Sequence, residues 1–342
     1  MALYSRKNYN RKKNTGWIYL IIVLLITGLV TYFYNPFSKT VQQENIAAVE
    51  SKPKSAAQIE TKAVVIESQK EPQPQLASPS IPEIAGESNA RASELINKAA
   101  GLLGETPAKI IEARDILNEV LPMSLSTRQR QFVKEQMSIL ADKWLFSRTV
   151  LPQDTLCSSY VVKTGDLLKD IGDRHKVPYE IILQINNIDN PLNLRAGETI
   201  KVINGPFHVR IYRSTFTLDL FLQNTFVKSF KVGLGGPGKE TPTGLWLVKS
   251  DGKLISPTWT DPDTGKTYEA ESPDYPLGSR WIGLEGVSGN AKGRTGFAIH
   301  GTKDMESIGM ASSRGCIRLY NGEAILLYNI LMQGFSQVEV VE

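Results

Sequence analysis

The sequence predicts a multidomain chain. It comprises one N-terminal transmembrane helix, a short α-helical region, a small βααβ module and a β-rich C-terminal domain, a mixed β-sandwich or barrel with a late helix. Three observations predict it. Residues 17–34 carry no charge and follow a basic terminus, apolar residues recur at helical spacing between 91 and 147, and alternating segments broken by glycine dominate after residue 206. A chain of 342 residues has room for two or three domains and their linkers.

The formal net charge is +4. Residues 1–34 hold Arg6, Lys7, Arg11, Lys12 and Lys13 and no acid, a charge of +5, so +4 less +5 leaves the rest of the chain at −1. A nucleic-acid binder needs its basic excess on a folded surface, and this distribution excludes that class of partner. The eighteen residues 17–34, interrupted only by Thr27 and Thr31, approach the length needed to cross a bilayer as a helix. Trp17 and Tyr19 at one end, and Tyr32, Phe33 and Tyr34 at the other, suit the headgroup level. The basic residues before the span place 1–16 in the cytoplasm and everything after it outside, in the periplasm. An uncleaved anchor is favoured over a signal peptide, because the apolar run is long and no small-x-small site follows closely.

Residues 35–90 read as a disordered tether. Pro36, Pro53, Pro72, Pro74, Pro79 and Pro82 punctuate a polar stretch with one aromatic residue, Phe37, too little apolar surface to offset chain entropy. Residues 91–150 form the helical region. Ala92, Leu95, Ile96, Ala99, Leu102 and Leu103 make one stripe. Ile110, Ile111, Ala113, Leu117, Val120 and Leu121 make a second, and Val133, Met137, Leu140, Ala141 and Trp144 a third. Ser126-Thr127 is placed to start the third helix. This region reads as a spacer or a docking surface, with no partner named by its residues.

Residues 158–204 give the βααβ unit: a strand at 160–162, the turn Lys163-Thr164-Gly165-Asp166, helical patterns from Leu167 and from Ile181, then Leu194-Arg195-Ala196-Gly197-Glu198 before a strand at 199–203. Tyr160-Val161-Val162-Lys163-Thr164-Gly165-Asp166, Asn186-Asn187-Ile188 and the Leu194–Glu198 turn together resemble a LysM domain. It departs from that pattern at Leu167, where Thr or Ser is usual. The resemblance implies binding of N-acetylglucosamine-containing glycan strands, with Gly165, Asp166, Asn187 and Pro191 as groove candidates; the alternative is that these four only serve turns and caps.

Residues 206–342 alternate as strands at 208–212, 216–221 and 226–232, with later strands at 244–248, 281–283, 296–300 and 337–341, and a helix at 321–332. The chemistry concentrates at Ile299-His300-Gly301-Thr302 and at Ser312-Ser313-Arg314-Gly315-Cys316-Ile317-Arg318-Leu319. A free thiol has a pKa of about 8.5, so cysteine becomes an effective nucleophile at neutral pH only with help from a base. Of the three histidines, His175 falls in the small module and His208 on the first strand, leaving His300 beside a glycine at a strand end. Arg314-Gly315 permits a tight turn whose Gly315 and Cys316 N–H groups can face an oxyanion. The second cysteine, Cys157, has no such surroundings and reads as a packing residue; both cysteines are expected free. No His, Cys and carboxylate cluster suggests a metal, and no cofactor is implied.

His-Gly-Thr sixteen residues before the cysteine, Ser-Arg-Gly-Cys-Ile-Arg-Leu around it, and Thr241-Pro242-Thr243-Gly244 and Pro276-Leu277-Gly278 upstream resemble the L,D-transpeptidase (YkuD-like) catalytic domain across 206–342. Some members carry a second histidine where this chain has Arg314, so the base role falls on His300. The resemblance implies Cys316 as nucleophile, with the Gly301 carbonyl fixing the imidazole tautomer. Ser313 is placed to order the turn. Arg318 and Arg314 are each placed to meet a substrate carboxylate or to form a surface salt bridge. The expected function is formation of a Cys thioester with a peptidoglycan stem tetrapeptide, release of D-alanine, and transfer to an amine in wall crosslinking or remodelling. An L,D-carboxypeptidase with the same chemistry and a non-catalytic peptidoglycan-binding protein are the alternatives. The polar insert 256–276 reads as a lid or binding loop, or as a plain surface excursion.

Overall fold

The computed structural model describes residues 90–105 and 108–342. The expected span at 17–34 and the tether lie outside the described residues, apart from Ala90 at the tether's end. Among the described residues no helix is long and apolar enough to cross a membrane.

Three helices open the described chain: α1 (Ala90–Gly104), α2 (Ile110–Val120) and α3 (Thr127–Trp144). Their apolar stripes are the buried faces, with Ala92, Ala99, Ala113, Val120, Val133, Met137 and Trp144 all but sealed from solvent. Ser126 starts α3 through a capping box: its hydroxyl accepts from Gln129 N–H while the Gln129 side chain accepts from Ser126 N–H.

The small module is β1 (Cys157–Val161), α4 (Leu168–His175), α5 (Tyr179–Asn186) and β2 (Thr199–Ile203), with β1 and β2 antiparallel. Ile171, Ile181, Ile182, Ile185 and Val202 close its core. Buried Asn186 ties α5 to β2, donating to the Ile182 and Lys201 carbonyls and accepting from Lys201 N–H.

The C-terminal domain is built on a single eight-stranded mixed sheet of order β13-β11-β10-β7-β14-β3-β4-β5. Its strands are β3 (Phe207–Tyr212), β4 (Thr217–Leu222), β5 (Thr225–Lys231), β7 (Gly244–Ile255), β10 (Arg280–Gly286), β11 (Phe297–Gly301), β13 (Ile317–Leu319) and β14 (Gln337–Val341). The strands of the expected β-rich domain form one continuous ladder because β7 belongs to both halves. Its first residues pair with β14, and the strand continues along β10 across a bulge. Within this sheet, β11 with β13 and β14 with β3 are the parallel pairs. Two short ladders flank the sheet: β6 (Leu234–Gly235) with β12 (Ala311–Ser313), and β8 (Trp259–Thr260) with β9 (Thr267–Tyr268). The late helix α6 (Asn321–Ile330) packs on β10 and β11.

An exposed edge strand invites pairing with another chain. Here the β5 edge is covered by the helical region. α3 packs against β5, Asn118 of α2 accepts from Phe226 N–H and donates to the Asn224 carbonyl, and Lys134 of α3 reaches buried Asp219 at 2.6 Å.

Candidate active site

Strand register builds one face of the site. His300 pairs with Arg318 across β11 and β13, and with Trp281 across β11 and β10. Paired residues project to the same side of a sheet, so Arg318, His300 and Trp281 form a row. The indole of Trp281 stacks on the imidazole at 5.5 Å between centroids and 12° between planes. His300 is only 4% exposed. Its Nδ1 lies 2.6 Å from the Gly301 carbonyl oxygen. That oxygen can only accept, so Nδ1 carries the proton and Nε2 keeps its lone pair. Burial lowers the imidazole pKa to about 4, with the Arg318 charge acting in the same direction and the Gly301 and Leu277 carbonyls opposing it.

Cys316 closes the turn between β12 and β13. Gly315 sits at φ +109°, and a Cβ there would lie 2.5 Å from the Phe297 ring, so this position admits only glycine. Two buried hydroxyls clamp the turn. Ser313 Oγ accepts from Gly315 N–H (3.1 Å) and donates to the Cys316 carbonyl (2.6 Å). Thr241 Oγ1 donates to the Gly315 carbonyl (2.9 Å) and accepts from Gly235 N–H (3.1 Å). The expectation that Gly315 N–H faces an oxyanion is therefore corrected: that donor is consumed inside the turn. The Cys316 sulfur lies 3.9 Å from the Gly296 carbonyl. Burial raises its thiol pKa, opposed by a hydrogen bond from Ala298 N–H and by the Arg318 charge.

His300, Cys316, Trp281 and Arg318 line a single cavity of about 1100 Å³. Thus two motifs sixteen residues apart open into one space, because β11 and β13 are parallel neighbours.

Residues 206–340 match the L,D-transpeptidase catalytic domain family, and residues 160–202 match the LysM domain family. The chain is similar to two Bacillus subtilis (strain 168) proteins that carry the L,D-transpeptidase name. YkuD is 29% identical over 183 residues, spanning 52% of this chain and 94% of its own length. YqjB is 35% identical over 132 residues, 38% of this chain and 69% of YqjB. The chain belongs to the L,D-transpeptidase family. A solved L,D-transpeptidase 3 of Mycobacterium tuberculosis, in complex with a faropenem-derived adduct, aligns at 18% identity and a TM-score of 0.32. That alignment covers 43% of this chain and 65%, just under two thirds, of the solved one.

The insert 256–276 forms a hairpin beside the cavity. Its turn is ordered by Asp261, which accepts from Asp263 N–H, while Gly265 takes φ +69°. Arg314 grips that turn: Nη2 lies 2.9 Å from Asp261 and 2.5 Å from Asp263, and Nε donates to Asp263 at 2.7 Å. Of the two alternatives open for Arg314, the structure takes the salt bridge. Arg318, with its side chain 25% exposed, makes a longer ion pair with Asp304 at 3.9 Å.

The four groove candidates of the LysM domain serve its backbone. Gly165 takes φ +87° in the first turn, and Asn187 is the left-handed cap of α5. Pro191 opens a short 3-10 turn. Asp166 accepts from Lys163 N–H and the Tyr160 hydroxyl and pairs with Arg174. The Lys163 N–H foremost, then Tyr160, hold its pKa down at about 2. Among the described residues no group of three or more His, Cys, Asp or Glu is placed to hold a metal. Cys157 is free and buried.

Trp281, Trp259 and Tyr268 line the cavity without having been singled out by sequence, beside Asp261 and Asp263 of the polar insert. Thr241 was visible only as part of a motif; its work is to hold the cysteine turn. Thr241→Val is expected to strand the Gly315 carbonyl and the Gly235 N–H in a buried site, costing about 1–3 kcal/mol. A thermal unfolding midpoint equal to that of the wild type would remove Thr241 from this role.

Proposed function

We propose that the protein is a peptidoglycan L,D-transpeptidase of the cell envelope that works through a Cys316 thioester. The basic terminus and the uncharged run support a single-pass anchor at 17–34 in the cytoplasmic membrane, with the folded domains in the periplasm. The LysM domain supports contact with glycan strands.

The observation that carries the reading is that a cysteine sulfur and a buried imidazole whose Nδ1–H is fixed by Gly301 line one cavity. Cys316 Sγ attacks the carbonyl carbon of the L-centred residue at position three of a stem tetrapeptide, and its proton passes to His300 Nε2. The negative oxygen of the tetrahedral intermediate is met by the Cys316 N–H, the donor of this turn left after Gly315 is spent. The carbon–nitrogen bond then breaks, D-alanine leaves with the proton held by His300, and a thioester remains. An acceptor amine attacks the thioester carbonyl and gives its proton to His300. The thiolate departs and recovers a proton from the same imidazole. Arg318 in the His300 row suits a substrate carboxylate, which a guanidinium can meet through two hydrogen bonds.

Mass spectrometry of the protein incubated with synthetic tetrapeptide tests the reading. The wild type is expected to gain the tripeptide acyl group and release D-alanine, and Cys316→Ala to do neither. Adduct or D-alanine release from Cys316→Ala sinks it. Adding an acceptor amine separates the transferase from a carboxypeptidase: crosslinked product identifies the first, and free tripeptide alone identifies the second.

A further inference from the structure

The hairpin beside the cavity carries an aromatic pair that acyl transfer does not use. β8 and β9 pair Trp259 with Tyr268 and Thr260 with Thr267. Side chains alternate along a strand, so the two aromatics leave one face and the two threonines the other. The threonine hydroxyls meet each other at 2.9 Å on the exposed side. Trp259 and Tyr268 line the cavity that holds Cys316 and His300. Their rings stack at 5.9 Å and 29°. Lys266 Nζ lies 4.4 Å from the Tyr268 ring centroid and is itself held by Asp274 at 2.5 Å. Tyr268 thus meets both Trp259 and a lysine, and Trp259 is half-buried with Tyr268 stacked against it.

Three features decide what this ledge fits. A cavity of about 1100 Å³ exceeds the roughly 300–1,000 Å³ of a site for one drug-sized ligand. The insert's other contributions to the wall are Asp261, Pro262, Asp263, Asp274 and Pro276, so three carboxylates share the wall with the aromatic ring face. Asp261 and Asp263 also anchor the hairpin to Arg314, two residues from the nucleophile, which holds the ledge within the same site. A wide flat ring with hydrogen-bonding groups at its rim matches a pyranose, which has an apolar C–H face and an edge of hydroxyls.

We propose that Trp259, backed by Tyr268, stacks on a sugar ring of the glycan that bears the donor stem, so that the catalytic domain reads saccharide and peptide together. The proposal rests on the reading of the donor as a stem peptide. It assigns glycan recognition to the catalytic domain itself, separately from the LysM domain.

The test compares initial rates of D-alanine release from a free tetrapeptide and from the same tetrapeptide linked to its disaccharide, using the full chain in detergent. The quantity read is the ratio of kcat/KM for the two donors. In the wild type the saccharide-bearing donor is expected to be favoured by roughly three- to tenfold, the scale of one aromatic contact. Trp259→Ala is expected to bring the ratio to near one, and Trp259→Phe to keep most of it. Equal use of both donors by the wild type overturns the ledge. So does a preference that survives in Trp259→Ala, which would place saccharide recognition in the LysM domain. If neither donor releases D-alanine, the stem-peptide reading itself fails and takes the ledge with it.

Discussion

Replacing His300 by glutamine is expected to lower turnover by about 100- to 10,000-fold, the contribution of a positioned general base. The reason lies in the protonation states of the pair. Burial holds the imidazole neutral down to about pH 4, and burial also pushes the Cys316 thiol upward. The resting site therefore holds a thiol and a neutral imidazole rather than a preformed ion pair, and the proton must cross as the sulfur attacks. Alkylation of Cys316 by iodoacetamide is accordingly expected to rise with pH later than that of an ordinary thiol. A plateau of reactivity in mild acid would overturn this picture. The same shift couples to stability. Because the folded pKa is depressed from 6.5 to about 4, the unfolded chain takes up the proton first on acidification. The contribution of His300 is intact above pH 6.5 and is lost between pH 6.5 and 4, a change of about 3 kcal/mol. Urea unfolding of wild type and His300→Gln at those two pH values should differ by that amount in their acid sensitivity.

The sequence exposed the reacting groups and left their surroundings hidden, for physical reasons. The glycine before Cys316 marks a turn, and a turn is a local property. That the two motifs share a cavity depends on β11 and β13 lying side by side in parallel, which no local periodicity encodes. Trp281 reaches His300 through register between strands, nineteen positions apart along the chain, so its role was invisible although its strand was not. Arg314 finds its acids 51 and 53 residues away, inside the insert. The Gly315 N–H is lost to Ser313 through closure of a turn whose donors can be counted from sequence but not assigned. The two-residue strands β8 and β9 are too short for alternation to signal which residues face the cavity. The helical stripes were legible because a 3.6-residue period marks a buried face. What that face would cover, the β5 edge, was not.

Removing the Asp154 carboxylate is expected to destabilise the protein by about 3–5 kcal/mol while sparing catalysis, because it leaves a buried charge short of its partner. Arg114 of α2 is 2% exposed, and Asp154, at 0%, accepts from it at 2.8 Å. The same carboxylate accepts from Leu156 N–H at 3.0 Å, and the guanidinium lies 4.5 Å from the Trp144 ring centroid. From the other side, Lys201 of the LysM domain donates to the carbonyls of Trp144, Ser147 and Thr149. The segment between the helices and the LysM domain is thus tied at both ends by buried cations. In Asp154→Ala the remaining partner of Arg114 is Asp115, whose side chain is 58% exposed and whose charge is correspondingly weakened by water. Replacing both partners together, Arg114→Met with Asp154→Leu, removes the stranded charge and is expected to recover most of the loss. A single variant costing under about 1 kcal/mol, or a double variant no better than the single, would refute the buried-pair account. Strand order explains why turnover of a soluble tetrapeptide should survive in both variants: the helical region covers the β5 edge, and His300 and Cys316 sit at the β13 end of the same sheet.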